Sequence, residues 1–362
     1  MDITVASTHK TAKVNYPNLD LMKFFLALLV VEIHTRPLKC FYFAETLIEG
    51  IDVLAVPLFF LASGFLCFRD LNYASFGVAI SAGTERVRNT IVKLFRLYLI
   101  WTLLYLPLTI FGNVLLGKNL LHGSLSFIRG TLFVGENYYS WPLWYLLASI
   151  VGFTLVFICL HRGGWRFKHI IPFSLILLLL GFGITYVQGW DGAPVYLAVP
   201  IRIYCRVFGS SRNGLFEGFF YIAVGAALGL KWDQLNRVPL LLEFAAVALG
   251  LAGTYLVSND AHLPFCAIAS IGLFLLSVRK YGVNLNSCAL ARRMSTIIYL
   301  VHMYFVVVFV YGICGQSNPD LYASNVNRPL LFLFTLSGLI IVSTLVIGVS
   351  KRMPIIKAAF GI

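Results

Sequence analysis

Ten apolar segments recur along this chain, at about residues 19–38, 51–68, 92–115, 142–161, 168–187, 215–230, 238–257, 262–278, 294–314 and 329–349. About 20 residues at about 1.5 Å each cross the roughly 30 Å hydrocarbon core of a bilayer as a helix. In lipid, backbone polar groups have to be satisfied inside the segment itself, which restricts runs of this kind to helices. The expected fold class is all-α and polytopic, with about ten transmembrane helices. The segments at 215–230 and 262–278 are short. Residues 195–208 are apolar too, but Pro194, Pro200, Arg202 and Arg206 interrupt them. That stretch reads as a re-entrant or interfacial piece, with an extra span as the alternative.

Composition agrees with a membrane chain. Of 362 residues, 59% are hydrophobic and 12% charged, with a mean hydropathy of +0.84. A water-soluble domain carries about 25% charge. The net charge of +13 comes from lysines and arginines flanking the spans and is no signal for nucleic acid. Seven cysteines are scattered through mostly apolar runs with no CxxC pair, as expected of small buried hydrophobes rather than disulfides or a metal site. No solenoid period or duplicated half is visible. The chain divides into a polar tail at 1–17 without a signal-peptide cleavage site, a transmembrane domain at 18–350 and a second tail at 351–362.

Orientation follows from where the positive charges fall. With the N-terminus in the cytoplasm, eighteen of the 28 lysines and arginines lie inside, among them Lys10, Lys13, Arg69, Arg86, Arg88, Lys93, Lys280, Arg292 and Lys351. Eight lie outside: Arg36, Lys39, Lys118, Arg129, Arg202, Arg206, Arg212 and Arg328. The positive-inside bias therefore predicts both termini cytoplasmic.

The first segment, LDLMKFFLALLVVEIHTRPL, is the one that carries chemistry. It holds Lys23, Glu32 and His34, and ionisable groups at membrane depth usually face a bundle interior or a water-filled cavity. Lys23 and His34 are eleven positions apart, close to three helical turns. Both side chains project from one face, about 16 Å apart along the axis. Glu32 lies about 160° from His34 around the helix and serves another contact. The alternative is a snorkelling lysine and a histidine bonded to a neighbouring helix. In the predicted orientation Lys23 lies near the cytoplasmic end and His34 toward the external leaflet.

Asp20, Lys23 and His34 in this segment resemble the opening motif of the acyltransferase 3 family of integral-membrane acyltransferases, a basic residue followed after ten positions by histidine. VPLFFLASGFLCFR at 56–69 is similar to that family's Phe-Phe-x-x-Ser-Gly-Phe helix. SWPLWYLLA at 140–148 resembles its Leu-Trp-Tyr/Phe-Leu segment, and STIIYLVHMYFV at 295–306 its late Tyr-Leu-x-His segment. The four motifs in order cover essentially the whole chain. Pro57 stands where many members carry Asp, and Lys23 where many carry Arg.

The resemblance implies transfer of an acyl group, commonly acetyl from acetyl-CoA, to a hydroxyl of a cell-surface polysaccharide or its lipid-linked precursor. The setting it implies is the bacterial plasma (inner) membrane, and no metal is needed. Histidine, with an unperturbed pKa of about 6.5, suits either a general base or an acyl carrier. The base role of His34 is the simpler one, with Lys23 supporting it. Ser63 and Gly64 either pack helices tightly or line an acyl tunnel. Arg86, Arg88, Lys93 and Arg96 either bind the phosphates of coenzyme A or serve topology. Trp141 and Trp144 are interface anchors or a sugar platform. Arg212, Asn213 and Glu217 are external substrate-binding candidates, Glu217 being the best remaining acid. His302 is either a packed core histidine or, less often, a second base or a further substrate contact. The rival function is a secondary transporter or flippase for a glycan or lipid precursor, which should show inverted repeats with corresponding broken helices; none is evident. A membrane sensor that kept the fold and lost catalysis fits less well with an intact Lys23–His34 pair.

Overall fold

A computed structural model describes residues 16–69, 76–231, 237–256, 263–279, 285–322 and 325–362; Lys10, Lys13, Lys280 and most of the first tail lie outside the described residues. All regular structure among those residues is helical. The helices are α1 (Pro17–Thr35), α2 (Tyr42–Asp52), α3 (Ala55–Phe68), α4 (Phe76–Leu115), α5 (Leu120–Arg129), α6 (Trp144–His161), α7 (Phe167–Gln188), α8 (Val195–Phe208), α9 (Phe219–Leu230), α10 (Leu240–Leu256), α11 (Leu263–Val278), α12 (Leu285–Val307), α13 (Arg328–Ser350) and α14 (Pro354–Phe360). Every apolar segment of the sequence coincides with a helix. Six helical stretches among the described residues are long and apolar enough to cross a membrane: Tyr42–Phe68, Gly83–Leu115, Trp141–His161, Phe167–Gln188, Cys288–Ile313 and Arg328–Ser350. α1 has the length for it but carries Asp20, Lys23 and Glu32.

Three places depart from the sequence reading, and a fourth, at 195–208, keeps to the re-entrant or interfacial reading and is too short for the extra span. Residues 42–52, read as part of an external loop, form α2, because Phe43, Leu47 and Ile51 recur at i, i+4 and i+8 and present an exposed apolar stripe. α4 is 40 residues long, about 60 Å, so its first turns extend well past any bilayer thickness. The interrupted stretch at 195–208 is a 14-residue helix, about 21 Å, too short to cross. Residues 354–360, read as tail, form α14 and pack back on α4: Trp101 Nε1 donates to Ala359 O at 2.8 Å, and the Trp101 and Phe360 rings meet edge to face at 5.2 Å.

The core is built by close helix approach. A Cβ on Gly64 would lie 2.2 Å from Ile222 O, and one on Gly225 would lie 2.2 Å from Leu61 O. Only glycine lets the α3 and α9 backbones come that near, the small-residue packing typical of helices in lipid. Phe60, Phe65 and Phe219 are fully buried around that seam. α1 runs parallel to α12, tied at one end by Asp20 to Arg292 (3.2 Å) and at the other by the ring of His34 against His302. The α1–α12 pair thereby sets the positions of His34 and His302 relative to each other.

Candidate functional site

His34 sits in the last turn of α1, half-buried, with aromatic rings on several sides. Its Nδ1 lies 3.1 Å from the Tyr322 hydroxyl. The His302 ring stacks on it at 5.2 Å with 23° between planes, and Trp141 lies at 5.4 Å. Trp141 in turn stacks on Tyr322, 6.0 Å between centroids and 10° between planes. The three-residue 3₁₀ turn Trp141–Leu143 at the start of α6 carries this indole into place, with Pro142 in its first positions.

His302 is completely buried on α12. Its Nδ1 is 2.8 Å from Tyr299 O and 3.2 Å from Ile298 O. A carbonyl oxygen can only accept, so Nδ1 carries the proton and Nε2 of the neutral ring is a bare acceptor. That Nε2 is buried without a hydrogen-bond partner. An unpaired buried acceptor costs free energy, so it marks a place where a donor from a bound molecule would fit.

The loop that supplies Tyr322 is pinned from several sides. Asp320 Oδ1 accepts from Tyr322 N at 2.9 Å. Arg328, buried at the start of α13, donates to Leu321 O (2.7 Å) and Tyr322 O (3.1 Å), and Lys39 Nζ donates to Tyr322 O at 3.3 Å. The Tyr138 hydroxyl donates to Pro319 O at 2.9 Å, while the Tyr139 hydroxyl lies 2.9 Å from the same oxygen and 2.5 Å from the Tyr311 hydroxyl. Burial pushes the Tyr322 phenol up to about 12. It therefore stays protonated near neutrality and can hold the imidazole by either sense of the bond.

Glu136 was not singled out in the sequence and lies close by, in the loop between α5 and α6. Burial raises its carboxyl to about 7, against the opposing pull of Arg212. Its charge bears on both Tyr322 and Tyr299, so it belongs to the same neighbourhood. Tyr322 and Glu136 come from loops and carry no periodicity; the only signal in the sequence is the turn-forming Asn318-Pro319-Asp320 run before the tyrosine.

At the other end of α1, Lys23 is half-buried and has no hydrogen-bond or ion-pair partner among the described residues. Asp20, Arg292 and Lys93 are its charged neighbours. Of the four basic candidates on α4, Arg86 donates to Arg69 O (2.7 Å) and Lys93 to Gly361 O (3.0 Å). Arg88 and Arg96 are exposed. Helical periodicity gathers Arg86, Lys93 and Arg96 within an arc of about 80° and sets Arg88 about 200° round from Arg86, so the four do not share one face.

The remaining candidates fall apart into two places. Ser63 Oγ is 2.9 Å from the Tyr145 hydroxyl, and the space beside Gly64 is filled by the α9 backbone. Trp144, Arg212, Asn213 and Glu217 form a second group beside α6 and α9. The Arg212 guanidinium lies 5.8 Å from the Trp144 ring, and its Nε is 3.6 Å from the buried Glu217 carboxylate. Asn213 is used up locally: its Oδ1 accepts from Leu215 N and Phe216 N, and its Nδ2 donates to the Tyr204 hydroxyl and Ser210 O. None of these four is hydrogen-bonded or ring-stacked to His34. Glu32 turns away from His34, as its helical angle requires, and has Asp52 as a neighbour.

Comparison with known proteins adds the following. A family model described as an acyltransferase domain matches residues 16–348. The chain is 26% identical over 358 residues to an amino-acid racemase of Enterococcus faecalis, covering 94% of this chain and 47% of that protein. It is 30% identical over 232 residues to another amino-acid racemase of that organism, covering 63% of this chain and 29% of the other. A serine/alanine racemase of Enterococcus gallinarum is 26% identical over 302 residues, 80% of this chain and 40% of that protein. The chain thus spans about half the length, or less, of these curated relatives. No solved structure matches it.

Proposed function

Because this chain belongs to the acyltransferase 3 family, we propose that it moves an acyl group, acetyl in the simplest case, from acyl-CoA to a hydroxyl of a cell-surface glycan or its lipid-linked precursor, in a bacterial plasma membrane. The observation that carries the proposal is the His34–Tyr322 contact at 3.1 Å beside the unpaired Nε2 of His302. With the Nδ1 proton of His34 given to the Tyr322 oxygen, Nε2 is left as a free base. The acceptor hydroxyl loses its proton to that nitrogen as its oxygen attacks the thioester carbonyl. The carbon–sulfur bond then breaks, and the thiolate takes the proton back. His302 Nε2 would accept a hydrogen bond from a second hydroxyl or an amide of the acceptor, and Trp141 would offer it a flat apolar face.

Lys23, about 16 Å from His34 along α1, would attract the donor's phosphates at the opposite end of the same helix, with Lys93 and Arg96 beside it. Ten crossings with both termini in the cytoplasm would put that end inside, where acyl-CoA is made, and His34 toward the outside, where the glycan is. The test is mass spectrometry of surface glycan in cells expressing each variant, with membrane abundance measured alongside. A general base contributes roughly 10²–10⁴-fold, so His34→Ala should leave no detectable acylated product; wild-type levels from it would refute the mechanism.

A second reading has one observation in its favour. The relatives are named amino-acid or serine/alanine racemases, and the stretch they share with this chain is 29–47% of their length. A membrane half that brings an amino acid across the bilayer would suit such proteins. Uptake of labelled serine or alanine into proteoliposomes, without any acylated product, would favour it.

A further inference from the structure

Eight lysines and arginines lie at the His34 end of the bundle, against the charge bias of the chain. Four of them are accounted for. Arg36 bonds Glu45 and Glu49 (2.5 Å each), Arg212 pairs with Glu217, and Lys39 and Arg328 hold the Tyr322 loop through its carbonyls. The other four, Lys118, Arg129, Arg202 and Arg206, have no carboxylate partner among the described residues. Three of them, Lys118, Arg129 and Arg206, gather in one place.

That place is a cleft of about 690 Å³ between α5 and α8. Lys118, His122, Arg129 and Arg206 line it, together with the apolar Leu116 and Leu125, and no carboxylate does. Arg202 stands one turn before Arg206 on the same face of α8. Arg129 Nε donates to Val207 O at 3.1 Å and fixes the two helices against each other. Around the cleft, α5 exposes Leu121, Leu125 and Ile128, and α8 exposes Tyr196, Val199 and Ile203. Neither helix is long enough to cross a bilayer. Short helices with a basic rim and bare apolar faces lie in the membrane interface, with the apolar faces among acyl chains.

We propose that this cleft is a binding site for the phosphate head group of an anionic phospholipid in the leaflet on the His34 side. Unpaired cations supply the charge complement, arginine adds the forked donors that suit phosphate oxygens, and the exposed leucines and isoleucines meet the lipid's chains. The side of the membrane rests on the orientation proposed above; the chemistry of the cleft does not. A lipid held there would bridge α5 to α8 and steady the loop of Glu136, which follows α5.

The test is native mass spectrometry of the full-length protein released from vesicles of equal phosphatidylglycerol and phosphatidylcholine. Wild type should retain phosphatidylglycerol selectively, with retention falling as salt rises. In the variant carrying Lys118→Gln, Arg202→Gln and Arg206→Gln, retention should fall about a hundredfold, at roughly a factor of five per cation near a membrane surface, with phosphatidylcholine retention unchanged. None of these residues belongs to the proposed acyl-transfer machinery, so acylation by the variant in cells reports separately on that reading. Equal retention by wild type and variant overturns the proposal. Displacement of the lipid by millimolar inorganic phosphate also overturns it, in favour of a free-anion site. Where the triple variant fails to accumulate, the single Arg206→Gln substitution, at an exposed position that lines the cleft, gives the same comparison at about a fivefold effect.

Discussion

Tyr322 is the residue whose removal says most about the site, because one oxygen atom separates it from phenylalanine. Tyr322→Phe keeps the ring stacked on Trp141 and deletes only the group that faces His34 Nδ1. Groups that orient a metal-ligating imidazole matter by about 10–100-fold; a fall of about that order in kcat is expected here as well, with KM for the acceptor little changed. An unaltered kcat would show that His34 needs no orienting partner. Glu136 gives a prediction in pH. Its folded-state value, about 7, is above the usual carboxylate range, so the folded protein holds a proton that the unfolded chain has already lost. Stability must then fall as pH rises from about 4.5 to 7, by up to about 3 kcal/mol at roughly 1.4 kcal/mol per unit. Glu136→Gln cannot titrate and should flatten that part of a thermal-melting profile; a profile unchanged from wild type would remove Glu136 from the buried network. Of these residues only His34 was legible in advance, since its spacing from Lys23 on an apolar helix is visible in one dimension. Tyr322 and Glu136 are brought in by loops, whose paths depend on contacts such as Tyr138 to Pro319 that lie 181 positions apart.

Helices were legible wherever apolar length alone decides them, and boundaries were lost where amphipathic pieces join them. α2 and α5 lay in stretches read as loops because each is short and half polar, and α14 was lost because its role is to pack on α4. The α3–α9 seam was half legible: Ser63-Gly64 suggested close approach, but its partner Gly225 has no signature until the two backbones meet. Gly225→Val should force those helices apart, at a cost of about 1–3 kcal/mol for overpacking, and the melting temperature should drop while acylation per folded molecule is retained. Loss of activity in molecules that still melt normally would point to a tunnel along the seam. Lys23 belongs to this scale too, as one end of α1. Lys23→Arg keeps a cation beside Asp20 and should retain partial activity. Lys23→Ala should show a raised KM for acyl-CoA, because a neutral side chain leaves the donor's phosphates less well held; an unchanged KM for the donor would leave Lys23 to helix pairing alone.

The whole molecule has two chemically different ends. Lys23, Lys93, Arg292 and α14 lie at one; His34, Trp141, Tyr322 and the α5–α8 cleft lie at the other. Acyl transfer from a cytoplasmic donor to an external glycan needs the first end inside, and the charge bias demands the same. Native cysteines make the orientation measurable with little engineering. Cys40 and Cys314 are exposed in loops at the His34 end and Cys205 is half-buried on α8 there, Cys159 is half-buried near the far end of α6, and Cys67, Cys266 and Cys288 are buried. A membrane-impermeant maleimide added to intact cells should therefore label wild type, and the label should vanish when Cys40, Cys205 and Cys314 are all changed to serine. In that background Lys351→Cys, exposed between α13 and α14, should react only after the membrane is opened. Labelling of Lys351→Cys in intact cells of that background would invert the molecule. His34 would then face the cytoplasm, and the acceptor would have to be a glycan precursor modified before export.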